Sequence, residues 1–470
     1  MNRPIIQAGM GPYVSSPFLA NKCASQEEVQ GTVSGVAAGP ILSRLLQRGD
    51  LGGHFRRALS RFPFSGVAER ILQKYFVDGG IPSGQKFKPV PIFSLHPSQE
   101  LIELSVAATF AFVFLAKEGH GGIVSMNLLE KMQRMLMPEI FGAVLGGVDV
   151  VTMGAGIPLQ IPAVLDAFAQ GKASSYRVAV LGSKEGSETI CFDPQTFFGR
   201  NLPVLKRPEF LPIVSSDVLA SIMVSRLPSG AIQGFVIEKH IAGGHNAPPR
   251  GKLTLSETGE PVYGARDEAD FKKLQNLGIP FWLAGGRASP EGLAEARTLG
   301  ATGIQAGGLF ALSNDSGWDH FYRWKMRFLG YHGKLAVRTE PCASPAGFPF
   351  KVAQLADTQS DRAVYEARER VCDLCALAVP YQKENGDIGF RCPGEPTPEY
   401  LRKGGNIEDT ESVRCLCNGL LSAVGLGNPG ERPLFTLGDD VSFLRRLMKS
   451  PTDSYTADDA IAYLLGKSET

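Results

Sequence analysis

One of the seven histidines stands in a setting suited to chemistry. It lies in the run Gly243-Gly244-His245-Asn246-Ala247-Pro248-Pro249-Arg250-Gly251. An imidazole on a stiff, proline-flanked loop is a candidate general base, because its pKa lies near neutrality. The competing reading is a loop histidine that only bonds its neighbours, which is how His96, before Pro97, and His332 read. Downstream, two glycine pairs follow short apolar runs: Gly285-Gly286 after Phe281–Ala284, and Gly307-Gly308 after Gly303–Ala306. Glycine at such points lets backbone N–H groups approach an anion with no Cβ in the way. A single pair would read as a tight turn. Two pairs after successive strands, late in a β/α series, favour a phosphate cradle.

A third constellation is cysteinyl. Cys372 and Cys375 form a C-x2-C, Cys392 follows, and Cys415 and Cys417 form a C-x-C. Four thiolates suit structural zinc, and an iron–sulfur cluster is the other metal reading. The ligand groups are loosely spaced and the C-x-C is an unusual knuckle, so free or packing thiols are the leading expectation and no metal ligand is assigned. Cys23, Cys191 and Cys342 show no partner pattern.

The elements that must position these groups alternate strand and helix. Strand starts fall near residues 4, 31, 122, 148, 211, 234, 281 and 303, with helical patterns between them. Ser289 before Pro290 reads as an N-cap, with Leu293, Ala296 and Leu299 at helical spacing. Eight such units predict an α/β chain of the (β/α)8 barrel type. A doubly wound sheet would put its glycine fingerprint after the first strand instead. In a barrel, Met10, Asn127, Gly154, Ser215 and Glu238 all fall at strand ends on one face, where active sites are assembled. Asn127 has both a donor and an acceptor to offer a flat heterocycle.

The barrel is expected over 1–336, with an insertion at about 36–92 on its top face. Residues 176–192 read as a β-hairpin turning at Lys184-Glu185-Gly186. Residues 337–470 are expected to form a cysteine-containing helical cap: a Pro-rich stretch at 338–350, a helix over 361–372, and two closing helices at 441–449 and 457–465. Thr456 with Asp459 reads as the cap of the last one.

A net charge of +1 leaves no footprint for nucleic acid or an anionic membrane. The apolar run 101–116 carries Glu103, is too short to span a bilayer, and predicts a buried helix capped by Ser98. The start, MNRPIIQAGM, has no apolar export signal, so the cytoplasm is the expected location.

Five motifs in order carry a family resemblance: PIIQAGM at 4–10, VSMNLLEK at 124–131, AGGH at 242–245, AGG at 284–286 and QAGG at 305–308. Together they resemble the nitronate monooxygenase (2-nitropropane dioxygenase-like) family, over roughly residues 1–335. The resemblance implies a TIM barrel binding FMN non-covalently, with O2 and a small-molecule nitronate as partners; a homodimer is compatible with the sequence. It implies that Gly9 and Met10 line the flavin ring and that Asn127 bonds its edge. It implies that Gly243, Gly286 and Gln305, Ala306, Gly307 and Gly308 hold the phosphate and that His245 is the base. Gly244, Gly285, Ser215 and Glu238 join the cofactor-binding set by their places at strand ends. Glu238 stands where the family usually has Gln, and Gly308 where a Thr or Ser is common. The insertion, the cysteine-bearing tail and GGHNAPPRG mark a long subfamily. An FMN-dependent NAD(P)H enoyl thioester reductase and a non-catalytic flavoprotein remain the alternatives.

Overall fold

A computed structural model describes residues 3–199 and 202–467. Eight short apolar runs become parallel strands: β1 (Ile5–Gln7), β2 (Val29–Ser34), β3 (Val124–Leu129), β4 (Val150–Gly154), β7 (Glu209–Val214), β8 (Phe235–Glu238), β9 (Phe281–Ala284) and β10 (Gly303–Ala306). Each pairs with the next, and β10 returns to β1 with Ile304 opposite Ile5, closing the barrel. β5 (Ser174–Ala179) and β6 (Ser187–Phe192) form the expected hairpin between the fourth and fifth barrel strands.

Strand alternation sends one set of side chains into the barrel and the other toward the helices. Ile6, Val150, Leu211, Val236 and Trp282 fill the interior as one apolar cluster. The Trp282 indole N–H donates to the Arg3 carbonyl at 2.8 Å, so the ring plugs the barrel floor with its one polar atom satisfied.

The helix Gln99–Lys117 is capped by Ser98, whose hydroxyl accepts from the Leu101 N–H. Among the described residues it is the one helix long and apolar enough to cross a membrane, but 83% of its apolar window is buried inside the molecule. It packs on the helices Pro17–Ala24, Ala38–Gln47 and Gln133–Leu145 and so acts as a core helix. The helices of 36–92 likewise lie along this core helix. The insertion therefore sits mostly on the barrel's flank, and it is the C-terminal segment that lies over the mouth.

That segment is mixed rather than helical. Within the expected Pro-rich stretch and just after it, β11 (Val337–Glu340) and β12 (Phe350–Ala353) pair antiparallel. β13 (Val379–Gln382) and β14 (Ile388–Arg391) form a second ribbon. The expected helix over 361–372 stops at Ala367, and that over 441–449 shrinks to Leu444–Leu447. The last helix, Ala457–Leu464, has the expected Thr456–Asp459 capping box. The segment is tied to the barrel and its insertion by buried polar bonds: Tyr455 hydroxyl to Leu309 carbonyl at 2.7 Å, and Arg44 guanidinium to Leu426 carbonyl at 2.6 Å.

Candidate functional site

The carboxyl ends of the barrel strands open into a cavity of about 260 Å³. Its wall collects Gly9, Met10, Asn127, Glu238, Gly243, Gly244, His245, Gly285, Gly286, Gln305, Ala306, Gly307 and Gly308. Ser215 is the exception among the residues expected there. Strand β7 ends at Val214 and Ser216 caps the next helix, so the chain turns away. Ser215 lines a small side cavity with Lys239 and Asp267, which Glu238 and Arg287 also border.

The two glycine pairs face the same space. Gly285 and Gly286 have φ of +91° and +66°, which side chains rarely adopt. The N–H groups of Gly286, Gly307 and Gly308 have no protein acceptor among the described residues. Arg287 joins this wall, with its guanidinium held at 2.7 Å by Glu295. Arg287 is not among the residues expected at the site, although a basic residue directly after Gly-Gly is a visible signal in the sequence.

His245 is fixed by the C-terminal segment. Its Nε2 lies 2.7 Å from the Ser344 hydroxyl, and its ring meets Phe350 edge-on at 4.9 Å between centroids. Burial pushes its pKa down to about 4, so the imidazole is neutral at physiological pH. Glu238 shows the converse: burial pushes its pKa up to about 8, and the side chain has no protein hydrogen-bond partner among the described residues. Asn127 is less free than its type suggests. It donates to the Gly9 carbonyl at 3.0 Å and accepts from the Thr152 hydroxyl at 3.0 Å, which leaves one N–H for a ligand.

The tail supplies much of the cavity's apolar lining. Leu374, Leu377, Leu416, Leu420, Leu437 and Phe443 close the cavity with apolar surface. None of these is marked as a site residue by the sequence, though Leu416 and Leu420 repeat at helical spacing beside the cysteines. Gly243 has a second reason to be glycine, since a Cβ there would come within 3.0 Å of the Gly438 nitrogen. The tail packs directly on its backbone, and the adjacent Gly244 N–H donates to the Thr436 hydroxyl at 2.7 Å. All eight cysteines are free, and Cys417 lies on the cavity wall.

A closed eight-stranded parallel barrel with its cavity at the strands' carboxyl ends defines a (β/α)8 barrel. No family model and no curated protein matches the chain. Solved structures of similar fold include FabK from Thermotoga maritima, at 16% identity and a TM-score of 0.49, covering 99% of this chain and 93% of that one. The enoyl reductase domain of MlnA from the macrolactin cluster of Bacillus amyloliquefaciens is similar at 12% identity and a TM-score of 0.49, over 99% and 94% of the two chains. A nitroalkane oxidase from Streptomyces ansochromogenes is similar at 13% identity and a TM-score of 0.44, over 99% and 95%. These are likenesses of fold.

Proposed function

We propose that the chain is an FMN-dependent oxidoreductase that oxidises alkyl nitronates with O2 to a carbonyl compound and nitrite. The observation that carries the cofactor is the set of acceptor-free amides on the last two barrel loops, opening into the cavity that holds Asn127, Glu238 and His245. The residues fit the group. A terminal phosphate would take the N–H groups of Gly286, Gly307 and Gly308 beside Arg287, where any side chain at Gly307 would occupy its place. The remaining N–H of Asn127 is available to the heterocycle. The choice of nitronate rests on the five motifs that resemble the family.

When bound, the flavin would accept electrons from a carbanionic substrate. The protein's own part is shielding and proton control. The leucine roof keeps water from reprotonating a carbanion. A histidine with a pKa of about 4 is a weaker base than the sequence suggested, so pre-formed nitronate is the preferred substrate. A neutral nitroalkane would lose its proton to so weak a base only slowly. Glu238, neutral below about pH 8, would offer a hydrogen bond from its carboxyl into the cavity.

The aliphatic roof also supports a second reading, an NAD(P)H-dependent enoyl thioester reductase, because it suits a hydrocarbon chain. The test is to identify the extracted flavin, then follow nitrite release and oxygen uptake with a nitronate. In parallel, the protein is mixed anaerobically with NADPH. Nitrite formation without NADPH supports the first reading. Rapid bleaching by NADPH with no nitrite moves the assignment to the reductase. Colourless protein that takes up no FMN removes both.

A further inference from the structure

The barrel interior changes character on one side, just beneath the cavity. Val150, Leu211, Val236 and Trp282 fill the floor with apolar side chains. Across β2, β3 and β4 the same inward face also carries Thr32, Ser125, Asn127 and Thr152. The Thr32 and Ser125 hydroxyls bond each other at 2.6 Å. Of these four residues only Asn127 lines the cavity.

Thr152 stands directly opposite Asn127 in the β3–β4 ladder and is buried. Its hydroxyl donates to Asn127 Oδ1 at 3.0 Å, with the Met126 carbonyl a longer alternative at 3.5 Å. At the other end of the amide, Asn127 Nδ2 donates to the Gly9 carbonyl at 3.0 Å. That carbonyl is itself held in place. The Ser15 hydroxyl accepts from the Met10 N–H at 2.9 Å and donates to the Ala8 carbonyl at 2.7 Å, which brackets Gly9. The Gln7 amide donates to the Ser15 hydroxyl and accepts from the Thr32 N–H, both at 2.8 Å. A Cβ on Gly9 would come 2.1 Å from Asn127 Cβ, so the chain can approach this closely only as glycine.

The two partners fix opposite ends of one amide. Turning it over would set Oδ1 against the Gly9 carbonyl, two acceptors at hydrogen-bond distance. Gly9 thus excludes the reversed amide, and Thr152 engages the oxygen, which would otherwise lack a donor or turn toward the cavity. An asparagine without these partners can present either an N–H or a carbonyl to a ligand. We propose that Thr152 is a positioning residue: it locks the Asn127 amide so that this wall of the cavity offers a ligand an N–H and no acceptor. The ligand atom facing Asn127 is then a hydrogen-bond acceptor, a ring nitrogen or a carbonyl oxygen of a heterocycle. The inference deepens the flavin reading and rests on it.

The experiment is FMN titration of flavin-stripped wild-type protein and of Thr152→Val, Thr152→Ser, Asn127→Ala and Thr152→Val with Asn127→Ala. Valine keeps the shape of threonine and removes the hydroxyl. Thr152→Val is expected to weaken FMN binding about three- to tenfold, the worth of one hydrogen bond. Thr152→Ser restores binding to within about twofold of wild type, because the hydroxyl returns. In the Asn127→Ala background Thr152→Val adds nothing, since the group it positions is gone. A purely structural threonine would weaken binding equally in both backgrounds, and that result overturns the proposal. So does Thr152→Val that binds FMN as tightly as wild type. Should Thr152→Val fail to fold, Thr152→Ala carries the same cycle. Wild-type protein that takes up no FMN removes the flavin reading and this inference with it; wild-type protein that binds FMN, with additive variants, removes the lock alone.

Discussion

At Gly307 and Gly286 the same residue type serves two ends, and substitution separates them. A Cβ on Gly286 would lie 2.5 Å from Ile241 Cδ1 at a φ of +66°, so any side chain there strains the fold whether or not a phosphate binds. A Cβ on Gly307 would have Ala8 and Met10 as its nearest neighbours, at 3.5 Å, an ordinary contact. Gly307→Val is therefore the clean test: melting temperature close to wild type, with bound flavin reduced tenfold or more, about 1.4 kcal/mol of binding. Normal flavin content in that variant would remove the cradle. Glu238 makes a second prediction at this scale. Its folded pKa of about 8 stands above the usual carboxylate value of about 4.3, so the fold holds a proton the unfolded chain has lost. Stability attributable to Glu238 thus falls as pH rises from about 4 to about 8 and is flat above. His245, depressed to about 4, contributes the opposite slope up to about 6.5. The two offset in acid, and a net decline remains from about 6.5 to 8. Because both groups border the cavity and keep some solvent contact, the change expected is a few degrees. Glu238→Gln should abolish that decline in melting temperature; parallel wild-type and variant curves would contradict it.

The element that matters most for the site is the loop after β8, and its shape is set from outside the barrel. The Lys351 N–H donates to the Gly244 carbonyl at 2.9 Å and the Asp439 N–H to the Ile241 carbonyl at 3.1 Å. The Lys351 ammonium pairs with Asp439 at 2.6 Å, with the lysine 3% exposed and the aspartate 39%. Lys351→Ala should destabilise by about 2 kcal/mol, below the range for a fully buried pair because Asp439 keeps water contact. Lys351→Ala with Asp439→Ala should cost less than the sum of the two, read from urea unfolding; strict additivity would show that the pair does not act as a unit. These seams explain what the sequence made visible. Barrel strands were readable because each apolar run stops at a glycine or polar residue. The N-caps Ser98, Ser289 and Thr456 were readable because capping needs a hydroxyl beside an apolar repeat. β11 and β12 were not, since four-residue strands flanking 341–349 are too short to display a period. Ser344 beside His245 left no signal at all, being an unremarkable serine in a loop.

For the whole molecule, the consequence is that the barrel does not contain its own site. The wall was legible because glycine, histidine and asparagine at strand ends betray their face. The roof was not, because leucines of the tail look like any core residues until the chain is folded over the mouth. A chain ending at residue 336 would lose the Leu374–Leu377 and Leu416–Leu420 covering, the Ser344 partner of His245, and the Tyr455 bond to the Leu309 carbonyl. It would expose the apolar face on which Phe435, Leu444 and Leu464, all buried, now pack. Patches of that kind on a monomer drive association. The truncated chain is therefore expected to aggregate or elute as large species on size exclusion, and to retain no flavin even where a soluble fraction survives. A monomeric, yellow, active 1–336 would show instead that the barrel shapes the cavity unaided, and that the tail's seams along 241–246 follow the site's geometry without setting it.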